Sequence, residues 1–129
     1  MNKNIADAEL KVMKFIWKMN KTVSSKEVIS AMEKQWYWKQ TTTLTLLARL
    51  VKKGFISAEK IDRYTHYTAI LENESYKIDE TKNFLKKVHD DSPKSMAESM
   101  VAALCDGDML SEEKVESFKK LFSQEEDDE

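Results

Sequence analysis

The sequence predicts a mostly α-helical fold with a small β wing, and three observations support this prediction. The chain has 129 residues but only two Gly and one Pro, which favours helices joined by short connections. Apolar residues recur at helical spacing before residue 54 and after residue 73. Between these parts, residues 55–70 are rich in β-branched and aromatic side chains, which predicts two strands.

Two helices are predicted at the N-terminal end. Over residues 6–19, apolar side chains recur at the spacing of one helix face. Ser24 and Glu27 form a capping box, in which each side chain accepts a hydrogen bond from the other's backbone N–H. This box predicts a second helix that ends near Lys34, followed by an aromatic loop at residues 35–37.

A third helix is predicted within residues 38–54, because Gly54 can adopt the left-handed turn that ends a helix. Its apolar side is formed by Thr43, Leu44, Leu46, Leu47, Leu50 and Val51. Its other side carries hydroxyls and cations but no carboxylate: Thr41, Thr42, Thr45, Ala48, Arg49 and Lys52. Short hydroxyls allow a helix to approach a nucleic-acid groove closely, and Arg and Lys can reach the phosphates. Taken alone, this helix fits an ordinary solvated surface helix equally well.

A hairpin is predicted after the third helix. Residues 55–61 and 64–70 read as strands, with a charged tip at Asp62–Arg63, and Thr22–Val23 is long enough only for a bridge to a sheet. Three helices followed by such a wing form a winged helix-turn-helix domain, which we assign to residues 1–71.

The remaining part of the chain is predicted to be helical. Helices are expected over residues 74–89, from Ser92 to Leu104 and after Ser111, with a helical domain at residues 72–123 and an acidic tail at 124–129. Three short helices cannot cover their apolar side chains alone, so we expect them to dimerise the protein. The expected dimerisation residues are Phe84, Leu85, Met96, Met100, Val101, Phe118 and Leu121.

The charge is distributed unevenly along the chain. Residues 1–76 contain 13 Lys and Arg against 8 Asp and Glu, a net charge of +5. Residues 77–129 contain 8 against 15, a net charge of −7, of which five charges lie in the acidic tail. A basic first part and an acidic second part predict that the first part binds a polyanion.

The sequence contains no recognisable catalytic, metal-binding or membrane-spanning motif. Cys105 is the only cysteine, which excludes an intrachain disulfide. It has no conspicuous cationic neighbour in sequence to activate its thiol, so we expect it to be a buried, small apolar side chain. His66 and His89 have no partners at catalytic or metal-binding spacing, and the sequence contains no glycine-rich phosphate loop. No apolar run reaches 18 residues and the N-terminus has no apolar signal segment. We therefore expect a cytoplasmic protein that is not an enzyme and uses no metal or cofactor.

Several segments resemble the penicillinase and methicillin-resistance repressors of Gram-positive bacteria and their copper-responsive relatives. The resemblance is carried by residues 8–13 with Trp17, by residues 42–54 and by Tyr67 in the wing. It implies a winged-helix DNA-binding domain, a helical dimerisation domain and binding to inverted-repeat operators as a homodimer. It also implies release after cleavage that a membrane sensor with a metalloprotease domain triggers.

Three departures from the family pattern are visible. Leu44 stands where the resistance repressors often carry Arg. Ser99–Met100 stands roughly where they carry the cleaved Asn–Phe pair, and is therefore the candidate cleavage bond. The single Cys105 differs from the paired Cys-x-Cys motifs of the copper-responsive relatives, and a lone thiol is poor coordination for Cu(I).

The sequence thus predicts a DNA-binding repressor whose third helix enters the major groove, with Gln40, Thr41, Thr42 and Thr45 in the lead. Phosphate contacts are expected from nearby cations, and the complete predicted DNA-binding set is Lys39, Gln40, Thr41, Thr42, Thr45, Arg49, Lys52, Lys60 and Arg63. The alternative is a protein-interaction module in which Trp36, Tyr37 and Trp38 form an exposed anchor patch.

Overall fold

The structure is a computed structural model that describes residues 4–106, 111–114, 116–117 and 119–120. In chain order its elements are α1 (Asp7–Met19), β1 (Val23–Ser24), α2 (Ser25–Trp36), α3 (Gln40–Lys52), β2 (Ile56–Ile61), β3 (Tyr64–Ala69), α4 (Asn73–His89) and α5 (Pro93–Asp106). The chain divides into two compact units, Met1–Tyr76 and Lys77–Glu129. The domain boundary that we placed after residue 71 stays a prediction.

Local capping explains where the first two helices begin. The Ser24 hydroxyl accepts a hydrogen bond from the Glu27 backbone N–H at 3.2 Å, and the Glu27 carboxylate accepts one from the Ser24 N–H at 3.2 Å. The predicted capping box is therefore confirmed. α1 begins in a similar way, because Glu9 Oε1 accepts a hydrogen bond from the Ala6 N–H at 2.9 Å. α2 continues to Trp36, so the prediction of a loop at residues 35 and 36 was wrong.

The end of α3 is set by Gly54, as predicted. Gly54 has a φ of 81°, in the left-handed region that a side chain disfavours. The Gly54 N–H donates to Val51 O and the Phe55 N–H donates to Leu50 O, both at 3.0 Å. This pair of bonds is a Schellman motif, which satisfies carbonyls of the last turn and redirects the chain into β2.

The sheet has three antiparallel strands in the order β1-β3-β2. β2 and β3 form the predicted wing hairpin, with Ala58 opposite Tyr67 and Ile61 opposite Tyr64. The short β1 adds the predicted bridge, with Val23 opposite Tyr67. Pairing with both neighbours places the buried Tyr67 in the middle of the sheet, where its ring packs against the helices.

The core of the first unit lies between α1, α2, α3 and the sheet. Its buried side chains are Val12, Met13, Ile16, Val23, Val28, Met32, Leu46, Leu47, Leu50, Phe55, Ile56 and Tyr67. The prediction that Leu44 faces this core was wrong, because its side chain is 37% exposed. Thr43 takes the inward position instead, fully buried. Leu44 lies one residue, or 100°, further round the helix, which carries it to the edge of the apolar stripe.

The second unit contains most of α4 and all of α5. The turn between these helices passes through Asp90 and Asp91, both with positive φ. Ser92 caps α5, since its hydroxyl accepts a hydrogen bond from the Ser95 N–H at 3.1 Å. His89 is buried, with Nδ1 2.9 Å from Ser95 Oγ and its ring edge-on to Phe84.

The C-terminal part of the described chain differs from the prediction at Cys105. Cys105 is exposed, so the prediction that it is buried was wrong: it lies 100° round α5 from the half-buried Leu104, on the side that carries the exposed Glu98 and Ala102. After α5, residues 112–114, 116–117 and 119–120 are helical, and the Ser111 hydroxyl accepts a hydrogen bond from the Lys114 N–H as a cap. Phe118, Leu121 and the acidic tail 124–129 lie outside the described residues.

Candidate nucleic-acid interface

The exposed face of α3 brings most of the predicted site residues together. Seven of the predicted DNA-binding residues are exposed on or directly before this helix: Lys39, Gln40, Thr41, Thr42, Thr45, Arg49 and Lys52. Lys39 is the N-cap residue and makes no side-chain capping bond, and the first turn contains no acidic residue. The hydroxyls therefore lie towards the positive end of the helix dipole and the cations Arg49 and Lys52 lie in its last turn.

Thr45 has a more restricted chemistry than its residue type suggests. Its hydroxyl donates a hydrogen bond to the Thr41 carbonyl oxygen at 2.9 Å, one turn back along α3. While this bond persists, the hydroxyl can accept hydrogen bonds from a ligand but cannot donate one. The methyl group of Thr45 stays available for an apolar contact of the kind that a thymine methyl offers.

The last turn of α3 is tied to α1 by an ion pair that sequence analysis missed. Lys53 Nζ lies 2.6 Å from Glu9 Oε1 and also donates to the Asn4 carbonyl oxygen at 3.0 Å. The Glu9 carboxylate is 1% exposed, whereas the Lys53 side chain is 35% exposed. The signal was present in the sequence, because Glu9 stands three, four and seven residues before Val12, Met13 and Ile16 on the buried stripe.

Two opposing effects act on the Glu9 carboxyl. Burial by itself raises its pKa, but hydrogen bonds from Lys53 and from the Ala6 N–H lower it, as do the positive charges of Lys53 and Arg49. The net result is a pKa of Glu9 below its ordinary value, so the buried group is ionised at neutral pH. This charge therefore acts on Arg49, one of the predicted phosphate ligands, from inside the fold.

The wing carries the two remaining predicted phosphate ligands. Lys60 is exposed on β2 and Arg63 is exposed in the turn at the tip of the hairpin. Because side chains alternate along a strand, Lys60 lies on the same face of the sheet as the buried Ile56, which packs towards the helices. Ile61 and Tyr64, opposite each other near the tip, are 42% and 44% exposed. The structure thus places these cations on a different element from the α3 set.

The aromatic run between α2 and α3 is only partly exposed. Trp36 is 43% exposed and Tyr37 is 88% exposed, whereas Trp38 is half-buried and packs against the core. Lys11 Nζ of α1 lies 3.9 Å from the centroid of the Trp36 ring and 6.0 Å from that of Trp38, in a cation–π arrangement. The three side chains therefore do not form one continuous exposed patch.

The predicted dimerisation residues that the structure describes lie on α4 and α5. Phe84 of α4 is 48% exposed, and Val88 one turn later is 52% exposed. The half-buried members of the set are Leu85, Met96, Met100 and Val101. Ser99, in the candidate cleavage bond with Met100, is exposed within α5.

The described residues provide neither a metal-binding cluster nor a membrane-spanning helix. Among them, no three His, Cys, Asp or Glu side chains come together in a way that would hold a metal ion. Likewise, none of the helices in the described part of the chain is long and apolar enough to cross a membrane.

Known proteins resemble this chain over most of its length. A sequence model of the penicillinase repressor family matches residues 5–124. The chain is 32% identical to the methicillin resistance regulatory protein MecI of Mammaliicoccus sciuri over 119 residues, which cover 92% of this chain and 93% of MecI. It is also 32% identical to the penicillinase repressor of Bacillus licheniformis over 120 residues, which cover 93% of this chain and 90% of that repressor.

A solved structure matches the first part of the chain. It is the Bacillus licheniformis BlaI monomer in complex with the blaP half-operator. The match has a TM-score of 0.50 at 39% sequence identity and covers 57% of this chain and 89% of BlaI in that structure. The winged helix-turn-helix prediction is confirmed by this likeness together with the observed order of helices and strands.

Proposed function

This chain belongs to the penicillinase repressor family, and from that premise we propose that it is a transcriptional repressor that binds double-stranded DNA. The observation that carries the proposal is the exposed face of α3, which presents hydroxyls and cations without a carboxylate. A related winged-helix domain, that of BlaI, has been solved in complex with a half-operator. Such a protein acts by occupying DNA, so we assign it no enzymatic activity.

In this proposal α3 enters the major groove with its N-terminal end. Gln40 and Thr42 can hydrogen-bond base edges or adjacent phosphates, and Thr45 offers a methyl group and a hydrogen-bond acceptor. Phosphate contacts come from the cations that surround these groups: Lys39, Arg49, Lys52, Lys60 and Arg63. Thr41 supplies a hydroxyl and also the carbonyl that orients Thr45.

We further propose that the protein is a homodimer that binds inverted-repeat operators. Phe84 and Val88 expose apolar surface on α4, and burial against a second copy would remove it from water. Two-fold symmetry of the dimer would then match the symmetry of an inverted repeat. The dimerisation domain in this proposal is the helical part, residues 72–123.

Release from DNA is proposed to follow the family's pattern, with cleavage near Ser99–Met100 after a membrane sensor protease system is activated. Support comes from the place of this bond within α5, where Met96, Met100 and Val101 line the proposed dimer contact. A chain cut in α5 would lose that contact and, with it, the avidity of two half-sites.

The proposed function is tested by DNA binding at increasing salt concentrations. If a dimer makes on the order of eight phosphate contacts, the logarithm of the association constant should fall with the logarithm of salt concentration at a slope of about −7. The measurement is fluorescence anisotropy with a labelled duplex that genome-wide mapping in the host identifies as bound. Binding that does not change with salt would contradict the proposal.

Variants of α3 separate base contacts from phosphate contacts. Thr42→Ala and Thr45→Ala should weaken binding to the operator but leave binding to a scrambled duplex nearly unchanged, because base edges carry the sequence information. Arg49→Ala should weaken binding to both duplexes and reduce the salt slope by about 1 for each bound subunit, hence by about 2 for the dimer. Glu33→Gln, an exposed change on α2, is the control. Equal losses on both duplexes for the Thr variants would argue against base contacts.

A further inference from the structure

The turn between α2 and α3 exposes an aromatic side chain that the fold itself does not use. Tyr37 is 88% exposed, the largest exposed fraction among the exposed large apolar residues of the described chain. Stabilisation by an apolar side chain scales with the area that it removes from water, and Tyr37 removes very little. Its neighbour Trp38, in contrast, packs against the core.

Tyr37 also adopts a left-handed backbone conformation that Gly or Asn would adopt at lower energetic cost. It is the C-cap of α2, with φ 57° and ψ 30°, in the left-handed region where a side chain is disfavoured. Its N–H donates to the Glu33 carbonyl oxygen at 3.0 Å, which closes the last turn of α2. Gly or Asn would close the same turn at lower cost. An exposed side chain held in a disfavoured conformation indicates a contact made outside the fold.

The sequence that follows Glu33, whose carbonyl caps the turn at Tyr37, carries an excess of positive charge. Residues 34–58 contain five Lys and Arg but no Asp or Glu over 25 positions. Lys11 adds a further cation beside the turn, where its ammonium lies over the Trp36 ring. The Trp rings on either side are held by this contact and by packing, so Tyr37 is the free member of the run. Its position is three residues before α3 begins at Gln40.

We propose that Tyr37 contacts the DNA backbone next to α3 and that its hydroxyl donates a hydrogen bond to a phosphate oxygen. The inference rests on the proposed function and extends the interface from α3 into the preceding turn. A neutral donor bonded to a phosphate adds affinity without releasing a counterion and without reading sequence. Tyr37 would therefore strengthen binding to all DNA sequences equally.

The test compares Tyr37→Gly and Tyr37→Phe with the full-length wild type on a duplex of mixed sequence, so that no operator is required. Tyr37→Gly should lower the affinity about three- to tenfold for each bound subunit, the loss expected for one hydrogen bond, on both mixed-sequence and operator DNA. The salt slope should not change, whereas Arg49→Ala should reduce it by about 1 for each bound subunit. The melting temperature of Tyr37→Gly should be unchanged or higher, because Gly tolerates the left-handed conformation. Tyr37→Phe should lose affinity as well, since it lacks the donor.

The matched control is Asn20→Gly, which also places Gly at a left-handed C-cap residue, that of α1. It should leave DNA affinity unchanged. Wild-type affinity in either Tyr37 variant would overturn the inference, and if Arg49→Ala weakened binding in the same experiment the proposed function would stand. Absence of salt-dependent binding by the wild type would instead overturn the proposed function itself.

Discussion

At the scale of single residues, the most consequential side chain outside the proposed DNA-contacting set is Glu9. Its carboxylate is buried and joins α1 to the last turn of α3 through Lys53. It also completes the cap of α1 by accepting the Ala6 N–H. One side chain therefore fixes both the start of α1 and the end of the helix that we propose enters the groove.

We predict that Glu9→Gln destabilises the protein by about 1–2 kcal/mol at neutral pH, as expected for the loss of a hydrogen bond to a charged group. Gln keeps the acceptor for the Ala6 N–H but loses the charge that pairs with Lys53. Because water screens the charge of the partly exposed Lys53, we expect the loss of stability to stay near the lower end of the range for hydrogen bonds to charged groups. Urea unfolding measures the difference, with Glu33→Gln as an exposed control within about 0.5 kcal/mol of the wild type.

The stability difference between wild type and Glu9→Gln should also depend on pH. Because the pKa of Glu9 is lower in the folded protein than in the unfolded chain, its ionised form adds stability above the unfolded pKa, about 4.3. That contribution is lost as the pH falls through the folded pKa. The difference between wild type and Glu9→Gln should therefore shrink as unfolding is measured from pH 6 downward. A difference that stays constant to low pH would show that the charge of Glu9 is not responsible.

At the scale of elements, α3 is positioned by how it ends as much as by its apolar stripe. The Schellman motif at Gly54 directs the chain from α3 into β2, the first strand of the wing. Lys60 and Arg63 lie on the hairpin that begins after this turn. The distance between these two cations and α3 therefore depends on the geometry of the turn.

We predict that Gly54→Ala costs about 1–2 kcal/mol of stability, the cost of placing a residue with a Cβ in the left-handed conformation. Gly54→Asn should cost less, because Asn tolerates this conformation better than other residues with side chains. Thermal and urea unfolding of the two variants against wild type measure both effects. Stability of Gly54→Ala equal to that of the wild type would mean that the turn can be closed in another way.

At the scale of the whole molecule, the first unit extends into the first turn of α4. The Trp17 Nε1–H donates to the Leu71 carbonyl oxygen at 2.8 Å, and its ring lies 5.5 Å from that of Tyr76. A fragment that retains these contacts must include Tyr76. This requirement defines where the chain should be cut when dimerisation is tested.

We predict that a fragment of residues 1–76 is monomeric and binds the operator about 100-fold more weakly than the full chain, because the second half-site no longer contributes avidity. Sedimentation equilibrium and anisotropy titration measure the two effects. In the full chain, Phe84→Glu should weaken dimerisation, whereas Lys82→Glu, exposed on the same helix, is the control. A full-length protein that sediments as a monomer at micromolar concentration would contradict the dimer proposal.

If cleavage releases the protein from DNA, its fragments should be detectable in the host cell. Exposure to a cell-wall antibiotic should produce two fragments that join near Ser99–Met100, at the time when the target genes are induced. The bond lies within α5, so this helix must open locally before a protease can bind it. Mass spectrometry of the repressor follows the fragments. Induction with the chain intact would exclude cleavage as the signal.

Sequence by itself determined the features that depend on residues close together in the chain. The capping box of Ser24 and Glu27, the stop at Gly54 and the two strands of the wing were all predicted. Each depends on backbone geometry over a few residues, where hydrogen-bond spacing and the conformational freedom of Gly leave few alternatives. The carboxylate-free face of α3 was also visible, since helical periodicity places its members on one side.

Tertiary structure alone decided the features that depend on contacts between distant segments or on how much of a side chain its neighbours cover. Glu9 and Lys53 are 44 residues apart in sequence, and the buried carboxylate is stabilised only because α3 brings an ammonium to it. Leu44 lies at the edge of the apolar stripe of α3, and Cys105 lies on the exposed side of α5. Local periodicity predicts which side chains share a face, but the packing of other elements determines which part of that face is covered.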